Sequence, residues 1–443
     1  MTTSQLAAVI TAGGLGTRMK SGTPKHLHPL LGRRLVDWVL AAVRPLEPDR
    51  LVVVTSPERR DDFANDDVAV AIQEEPRGTG DAVAASAPAL QGFDGTVLVL
   101  EAAAPLLTSE LLADLVEAHR SEGAAATVLS FEPLSPLPYG RVVRDRKGAV
   151  QAVVEEADAT PEQRALTEVV GAMWVFESGD LWTALGALDS ENAQGELYLT
   201  DTVRHLVARG RKVGAYRSPD PIAPIGINTR AELAAAAAIL RDRINNAHML
   251  AGATIFDPGS TWIDADVELE PDTILHPFTV LRGRTRIAAG AEVGPHVVVD
   301  SAEIGREAVV GPFCYLRPGT VLQARAKAGA FVEIKNSTIG EGAKVPHQSY
   351  IGDAEIGEGT NIAAGNITAN FSHRPGVPKG RTRIGRNVRT GVDNTFKAPV
   401  TIGDEAWIYP GTVITEDVPP GALAGFPPRQ VNKENYVRGD GND

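Results

Sequence analysis

The sequence predicts two folds in one chain: an α/β domain with a doubly wound parallel sheet, then a left-handed parallel β-helix. In the first half, short aliphatic runs alternate with helical patterns, an alternation typical of βαβ units. After about residue 251, aliphatic residues recur every six positions with glycine close by. A period of six is neither helical nor simply alternating, and it indicates a hexapeptide β-helix.

Length, charge and cysteine content limit the possible functions. A chain of 443 residues exceeds one ordinary core, so two or three domains are expected. The net charge of −13 argues against a nucleic-acid partner but not against a small phosphorylated ligand. Cys314 is the single cysteine, which excludes an intrachain disulfide and fits a reducing compartment. Without an export signal or an apolar run of about 20 residues, the expectation is cytoplasmic and not inserted in a membrane.

The first half contains four aliphatic runs that predict buried parallel strands, at residues 6–10, 51–54, 97–100 and 126–129. Helices are expected at 35–43 and 111–119. An alanine-rich segment without Gly or Pro predicts one long helix over 231–247. The expected division is therefore a first domain at 1–229, a linker helix at 230–250 and a β-helix domain at 251–443.

The second half repeats an aliphatic hexad over most of its length. The positions expected to point inward are Ile304, Val310, Leu316, Leu322, Ala328, Ile334, Ile339, Val345, Ile351, Ile356, Ile362, Ile384, Ile402, Ile408 and Ile414. The spacing breaks between Ile362 and Ile384, where segment 371–381 is rich in proline, glycine and cations. Because loops that leave a regular scaffold often carry function, we expect an extruded functional loop there.

A glycine-rich turn follows the first predicted strand. Its residues Ala12, Gly13 and Gly14 allow backbone N–H groups to approach phosphate oxygens, and Arg18 and Lys25 supply positive charge. Two cations flanking such a turn favour phosphate binding over a purely structural turn. The string G-x-G-T-R-M followed by P-K resembles the signature loop of sugar-1-phosphate nucleotidyltransferases.

Further motifs follow in the order of one family. They are QEEPRGTG, YGR, EEADAT, NAQGELYLTD and GIN, with Gln73, Gly78, Thr79, Gly140, Glu155 and Asn228 as their matching residues. Almost the whole chain resembles the bacterial bifunctional N-acetylglucosamine-1-phosphate uridyltransferase/glucosamine-1-phosphate acetyltransferases. The resemblance implies a Rossmann-like nucleotidyltransferase domain in which the GTG segment meets uracil and Asn228 is a ligand of Mg²⁺. The reaction implied is attack of a sugar phosphate on the α-phosphate of UTP.

The first domain departs from that family at the metal site. Ala103 stands where the family has the aspartate that holds Mg²⁺, and Val170 and Ala157 replace an asparagine and a lysine near the sugar. Glu101 lies two residues before Ala103 and, on a continued strand, on the same face. It could partly replace the missing carboxylate, although loss of the carboxylate is the preferred interpretation.

The second domain retains most of the family's acetyltransferase motifs. The resemblance assigns substrate and acetyl-CoA contacts to Arg317, Lys335, Tyr350, Asn361, Ala364, Asn370 and Lys379. It assigns Glu333 to orienting His347, whose ordinary pKa suits a general base near neutral pH. Acetyl-CoA would lie along the outside of the coils. Departures from the pattern there are Val392, Phe371, Pro410 and a displaced basic residue at Arg429.

Three functions remain open from the sequence. The first is bifunctional UDP-N-acetylglucosamine synthesis, a step towards peptidoglycan, from glucosamine-1-phosphate, acetyl-CoA and UTP with Mg²⁺. The second is an acetyltransferase whose first domain only binds nucleotide or supports assembly. The third is a non-catalytic sugar-nucleotide-binding scaffold, against which His347 and its neighbouring cations speak. A homotrimer is expected, because a single β-helix exposes flat aliphatic faces and the resemblance implies acceptor sites between neighbouring subunits.

Overall fold

The computed structural model describes residues 5–14, 16–134, 138–372, 374–425 and 430–433. Arg429 therefore lies outside the described residues. The chain divides into two compact units, Met1–Ala238 and Ile239–Asp443. The division falls inside one long helix, Arg230–Leu250, rather than at either of its ends. No described helix is long and apolar enough to cross a membrane.

The first unit is an α/β domain. Its strands are β1 Leu6–Thr11, β2 Pro29–Leu30, β3 Arg33–Arg34, β4 Arg50–Thr55, β5 Ala69–Ile72, β6 Thr96–Glu101, β7 Ala126–Phe131, β8 Arg141–Arg144, β9 Val150–Val154, β10 Val169–Glu177 and β11 Val213–Arg217. Its α-helices are α1 Leu35–Val43, α2 Thr79–Ala84, α3 Ser109–Glu122, α4 Pro161–Arg164, α5 Ser178–Leu185, α6 Asp201–Ala208 and the start of α7 Arg230–Leu250.

The main sheet has the order β11-β7-β10-β6-β1-β4-β5. The four predicted strands are present as β1, β4, β6 and β7, and the first three pair in parallel. The sheet is mixed rather than wholly parallel, because β10 runs antiparallel between β6 and β7. An aliphatic run does not reveal its direction, so the sequence could not show this strand's orientation.

Both faces of this sheet are covered. Along β1, Ala7 and Val9 belong to one apolar core, while Ala8 and Ile10 belong to a second core on the other face. Successive side chains of a strand point to opposite faces, so a strand buried on both sides becomes a continuous aliphatic run. This explains why the first predicted strand has no polar alternation.

The second unit is a stack of very short strands. They are β12 Thr254–Ile255, β13 Trp262–Ile263, β14 Glu268–Leu269, β15 Ile274–Leu275, β16 Val280–Arg282, β17 Arg286–Ile287, β18 Glu292–Val293, β19 Val298–Asp300, β20 Glu303–Ile304, β21 Val309–Val310, β22 Tyr315–Leu316, β23 Val321–Leu322, β24 Lys327–Ala330, β25 Glu333–Lys335, β26 Thr338–Ile339, β27 Lys344–His347, β28 Tyr350–Gly352, β29 Ala354–Ile356, β30 Ile367–Ala369, β31 Thr382–Ile384, β32 Arg389–Thr390, β33 Thr395–Lys397, β34 Val400–Ile402, β35 Trp407–Ile408, β36 Val413–Ile414 and β37 Leu423–Ala424.

These strands form three parallel faces, in which strands of successive coils pair with one another, usually three strands apart along the chain. One face runs β13-β16-β19-β22-β25-β28-β30-β33-β36, and another runs β14-β17-β20-β23-β26-β29-β31-β34. Leu316 is in register with Ile334, and Ile334 with Ile351. All fifteen predicted inward positions are buried in one apolar core. The predicted left-handed β-helix is therefore confirmed.

The loop expected to leave the coil lies between β30 and β31. Its described residues 374–379 are exposed and form neither helix nor strand. At the other end of this unit, α7 is fixed to the first coil by a buried asparagine. The Asn245 Nδ2 group donates to the carbonyl oxygens of Pro258 and Thr261, both at 2.9 Å. Ile244 and Met249 pack against the coil's apolar core.

Candidate functional site

A pocket of about 480 Å³ opens at the carboxyl ends of β1 and β6. The last residues of these strands, Thr11 and Glu101, are register partners. From β1 the sheet continues to β4 on one side and to β6 on the other, so this is a switch point where open α/β sheets bind ligands. The pocket is lined by Thr11, Ala12, Gly13, Gly14, Gly16, Thr17, Arg18, Lys25, His26, Gln73, Pro76, Gly78, Thr79, Ala82, Glu101, Ala102, Ala103, Gln194, Glu196 and Asn228.

The glycine-rich turn needs glycine for two different reasons. A Cβ atom at Gly13 would lie 2.8 Å from Gln73 Oε1, so a side chain there would displace the amide that lines the pocket. Gly16 has a φ of 58°, and its Cβ would lie 2.8 Å from Lys25 Cβ. These glycines let the backbone approach both Gln73 and Lys25, which places a cation and an amide beside the turn.

Two cationic side chains converge in this pocket on Asn228. Asn228 Oδ1 accepts hydrogen bonds from Arg18 Nη2 and from Lys25 Nζ, each at 3.1 Å. Lys25 Nζ also forms an ion pair with Glu101 Oε1. The structure thus brings Arg18, Lys25, Asn228 and Glu101 together in one pocket, while the phosphate and metal roles expected for the first three stay predictions.

Position 103 contributes only backbone to this arrangement. Ala103 is 1% exposed, and its carbonyl oxygen accepts from the Ile227 N–H at 2.8 Å. That hydrogen bond holds the segment bearing Asn228 against the end of β6. Glu101 is therefore the carboxylate that this strand presents to the pocket. The strand ends at Glu101 and a turn follows at Ala102 and Ala103, so the continued strand considered from the sequence is not present.

Gln73, Gly78 and Thr79 form another wall of the pocket, and their expected contact with uracil stays a prediction. Gln73 Nε2 donates to Asp81 Oδ2 at 2.9 Å and to the Gly78 carbonyl oxygen at 3.3 Å. Thr79 Oγ1 accepts from the Leu199 N–H at 2.9 Å. Since the amide nitrogen of Gln73 is used within the protein, its Oε1 atom is the group left to accept a hydrogen bond from a ligand.

Gly140 and Glu155 lie beside each other but outside the set of residues that line this pocket. Glu155 Oε1 accepts from Thr200 Oγ1 at 3.0 Å. Burial raises the pKa of the Glu155 carboxyl, although the bond from Thr200 opposes this change. The predicted sugar contacts of these two residues are thus not tested by the pocket itself.

A second polar group lies on one face of the β-helix. Arg317 follows β22, Glu333 and Lys335 are on β25, and Tyr350 is on β28, so successive coils place them above one another. Arg317 Nη1 donates to Glu333 Oε1 at 2.8 Å. This bond raises the pKa of Arg317, which keeps its guanidinium charged.

Two lysines of this group lie side by side. The pKa of Lys335 is lowered, first by its side-chain contact with Lys379, then by repulsion from that ammonium and, more weakly, from Arg317. Lys379 comes from the loop between β30 and β31 and is exposed. The extruded loop therefore delivers a cation to the coil face, which is an arrangement suited to binding an anion.

His347 lies at the end of β27, on the neighbouring face of the coil. The register partner of His347 is Ala330 on the preceding coil. Three residues after His347, Tyr350 begins β28, and Tyr350 is the register partner of Glu333. The His347 side chain is exposed, and among the described residues no hydrogen bond or ion pair engages its ring. Glu333 is paired with Arg317 rather than with His347, so the predicted orienting role of Glu333 stays a prediction.

Three other predicted acetyltransferase residues form hydrogen bonds or bridges within the β-helix itself. Asn370 is buried, and its Nδ2 group donates to Asp353, which therefore competes with any ligand for this amide. The Ala364 carbonyl oxygen accepts from the Asp393 N–H at 2.9 Å. Asn361 bridges two neighbouring coils through its backbone and is half-buried.

Comparison with known proteins agrees with both units. Residues 8–179 match the model of the MobA-like NTP transferase domain. Proteins named bifunctional protein GlmU are similar over nearly the whole chain. The relative from Mycolicibacterium vanbaalenii is 48% identical, covering 97% of this chain and 92% of its own length. The relatives from Streptomyces avermitilis and Thermobifida fusca are 47% and 46% identical, covering 97% and 99% of this chain and 94% and 95% of their own lengths.

The fold and the two polar groups define a transferase with a nucleotidyltransferase-type domain and a hexapeptide β-helix domain. Within that class, the chain is an enzyme of the bifunctional GlmU family. The family and the fold class predicted from the sequence are both confirmed.

Proposed function

We propose that the enzyme makes UDP-N-acetylglucosamine in two steps, at two separate sites. The β-helix transfers acetyl from acetyl-CoA to the amine of glucosamine-1-phosphate. The α/β unit then transfers uridylyl from UTP to the N-acetylglucosamine-1-phosphate formed. The observation that carries this proposal is the pair of adjacent ammonium groups, Lys335 and Lys379, which lie together on the β-helix. Among the described residues no carboxylate offsets their charge with equal weight, while His347 ends a strand on the neighbouring face.

For acetyl transfer, the phosphate would lie between Arg317, Lys335 and Lys379, because a dianion relieves the repulsion between the cations. His347 would take a proton from the substrate ammonium, and the free amine would then attack the thioester carbonyl. The C–N bond forms as the C–S bond breaks, and the departing CoA thiolate is protonated. The exposed imidazole of His347 suits this role, since no described side chain occupies its ring nitrogens.

For uridylyl transfer, a phosphate oxygen of the sugar attacks the α-phosphorus of UTP and pyrophosphate leaves. Arg18 and Lys25 would neutralise phosphate charge beside the N–H groups of the glycine-rich turn. Gln73 Oε1 would accept from uracil, since its amide nitrogen is bound to Asp81. Little covalent chemistry falls to the protein, and positioning with charge neutralisation carries the reaction.

The residues of this pocket fit Mg²⁺ only with help from substrate. Among the described residues, no group of three or more His, Cys, Asp or Glu side chains converges on a common point. Asn228 offers an amide oxygen, and Mg²⁺ commonly takes one or two protein oxygens together with phosphates and water. We therefore propose that Asn228 would be one protein ligand of Mg²⁺, which would supply charge stabilisation to the phosphates of UTP when bound.

We also propose a homotrimer located in the cytoplasm, where UTP and acetyl-CoA are available. Along one corner of the coil, Phe278, His296, Phe313 and Phe331 stack with ring centroids 4.7–5.0 Å apart. Exposure of 48% for Phe313 and 63% for Phe331 supports burial of this aromatic row by another subunit. Light scattering on the purified chain tests this, and a monomeric mass at working concentration would contradict it.

Two separate assays test the activities. One supplies acetyl-CoA and glucosamine-1-phosphate, and the other supplies UTP and N-acetylglucosamine-1-phosphate with Mg²⁺. Product in both assays is expected. Acetylation without uridylyl transfer would reduce the first unit to a nucleotide-binding or structural role, and no product in either assay would overturn the whole proposal.

A further inference from the structure

We propose that Glu101 is the carboxylate ligand of the divalent cation in uridylyl transfer, and that it holds this cation together with Asn228. The inference rests on the uridylyl transfer proposed above. It assigns the metal-binding carboxylate to the last residue of β6, two positions before Ala103.

Glu101 is placed for this role by the sheet. It is the register partner of Thr11, the last residue of β1, so its side chain emerges where the glycine-rich turn begins. The side chain is 27% exposed and lines the pocket. A carboxylate at this point faces the ligand cavity rather than the protein core.

Glu101 and Asn228 already share one cation. The ammonium of Lys25 touches Glu101 Oε1 and lies 3.1 Å from Asn228 Oδ1. Two oxygens that contact the same nitrogen are within about two hydrogen-bond lengths, or roughly 6 Å, of each other. Both oxygens are therefore close enough that Glu101 and Asn228 would hold one Mg²⁺ between them after a small side-chain movement.

One carboxylate and one amide oxygen are a chemically sufficient protein contribution. Mg²⁺ keeps several waters and is usually held by one or two carboxylates plus substrate phosphates. Metal binding would also release Lys25 from Glu101, because the divalent cation takes over neutralisation of the carboxylate. The freed ammonium could then contact the phosphates that carry the metal into the pocket.

The other candidates in the pocket are less suitable. Ala103 has no donor side chain, and its carbonyl oxygen is bound to Ile227. Glu196 also lines the pocket, but it packs against Gly78, and its backbone is bound to Asn192 on the wall that contains Gln73. Within the described residues, Glu101 is the carboxylate that shares Lys25 with Asn228.

The test measures UTP binding by calorimetry, once with Mg²⁺ and once with EDTA, in the absence of sugar phosphate so that no turnover occurs. For the unsubstituted enzyme, the affinity for UTP should be at least about tenfold higher with Mg²⁺. Glu101→Gln should bring this ratio close to one without weakening the binding of metal-free UTP. Glu101→Gln combined with Ala103→Asp should restore part of the ratio.

Glu122→Gln is the matched control, because it breaks another Lys–Glu ion pair, with Lys212 Nζ at 3.1 Å, and does not line the pocket. It should leave the ratio unchanged. If Glu101→Gln keeps the ratio, or weakens UTP equally in both solutions, Glu101 is no metal ligand and the inference fails while uridylyl transfer stands. A loss of the ratio in Glu196→Gln alone would also overturn it. Absence of UTP binding in the unsubstituted enzyme would overturn both the inference and the uridylyl transfer.

Discussion

The two groups of cationic side chains in this enzyme differ in whether their positive charge is neutralised within the protein. In the pocket of the α/β unit, Lys25 is paired with Glu101, and both Lys25 and Arg18 donate to Asn228. On the β-helix, Lys335 and Lys379 lie together, and their repulsion lowers the pKa of Lys335. The first group has an internal counter-charge, which we propose is exchanged for a metal, whereas in the second group the charges of the two lysines repel each other and, under the proposed function, bind a phosphate.

Under the proposed function, the two groups bind phosphate with different arrangements of charge. A pocket at the end of a sheet gathers loops that supply a carboxylate, an amide and backbone N–H groups around one cavity. A coil face offers only side chains stacked at fixed spacing, so cations on neighbouring coils and on an inserted loop must act together. The following predictions test whether the two sites really work independently.

The largest effect is expected from His347→Ala. Loss of a general base costs about 10²–10⁴-fold in rate, so acetyl transfer should fall by that factor while uridylyl transfer stays unchanged. Separate rate measurements for the two half-reactions check this. His276→Ala is a matched control, because His276 is also on the β-helix but pairs with Glu292. An equal loss in both half-reactions would contradict independent sites.

The folding stability of the α/β unit should also decrease in acid. Burial, followed by the charges of Arg34, Arg59 and Lys25, lowers the pKa of His26 from 6.5 to about 4. Between these values the unfolded chain binds a proton that the folded chain does not, so stability is full above pH 6.5 and falls as pH drops towards 4. For this buried ring the loss amounts to roughly 3 kcal/mol.

Thermal unfolding of the α/β unit across pH 4–7 measures this loss. His26→Phe keeps a ring stacked on Phe63, now at a centroid distance of 5.7 Å, and removes the titrating group. Its unfolding should depend less on pH than that of the unsubstituted enzyme. An unchanged pH dependence would exclude His26 as the source.

A smaller effect is expected from Lys379→Gln. One charge-assisted hydrogen bond to phosphate contributes about 1.5–3 kcal/mol. Because Lys379 is exposed, its contact with phosphate should lie at the lower end of this range. KM for glucosamine-1-phosphate should therefore rise about tenfold. The variant Lys327→Gln removes an exposed lysine from β24, outside the group, and should leave KM unchanged. If Lys379→Gln alters kcat alone, the loop acts on chemistry rather than on phosphate.

The smallest effect concerns Cys314. Burial raises the pKa of this thiol to about 11, and Sγ donates to the Gly329 carbonyl oxygen at 2.7 Å. Since the thiolate is the reactive form, the folded enzyme should resist a thiol reagent at pH 8, whereas denaturation should expose one reactive group. Rapid labelling of the native enzyme would show that this part of the coil opens.

Much of the fold could be predicted because its signals are local. Each inward aliphatic residue of the β-helix repeats at a fixed spacing, so Leu316 and Ile334 identify each other as neighbours in adjacent coils. The antiparallel strand β10 could not be predicted, since its neighbours β6 and β7 are distant in the chain. The contact between Asn370 and Asp353 was likewise hidden, because it depends on how the coil closes around the loop.

The sequence by itself determined the two-domain plan, the family and the residue types at both sites, because periodicity and short motifs are properties of the chain alone. Only the tertiary structure decided which groups meet: Glu101 with Lys25 and Asn228, and Lys335 with Lys379. These partners come from separate strands and loops. Their charges interact strongly only at a few ångströms, and folding sets those distances.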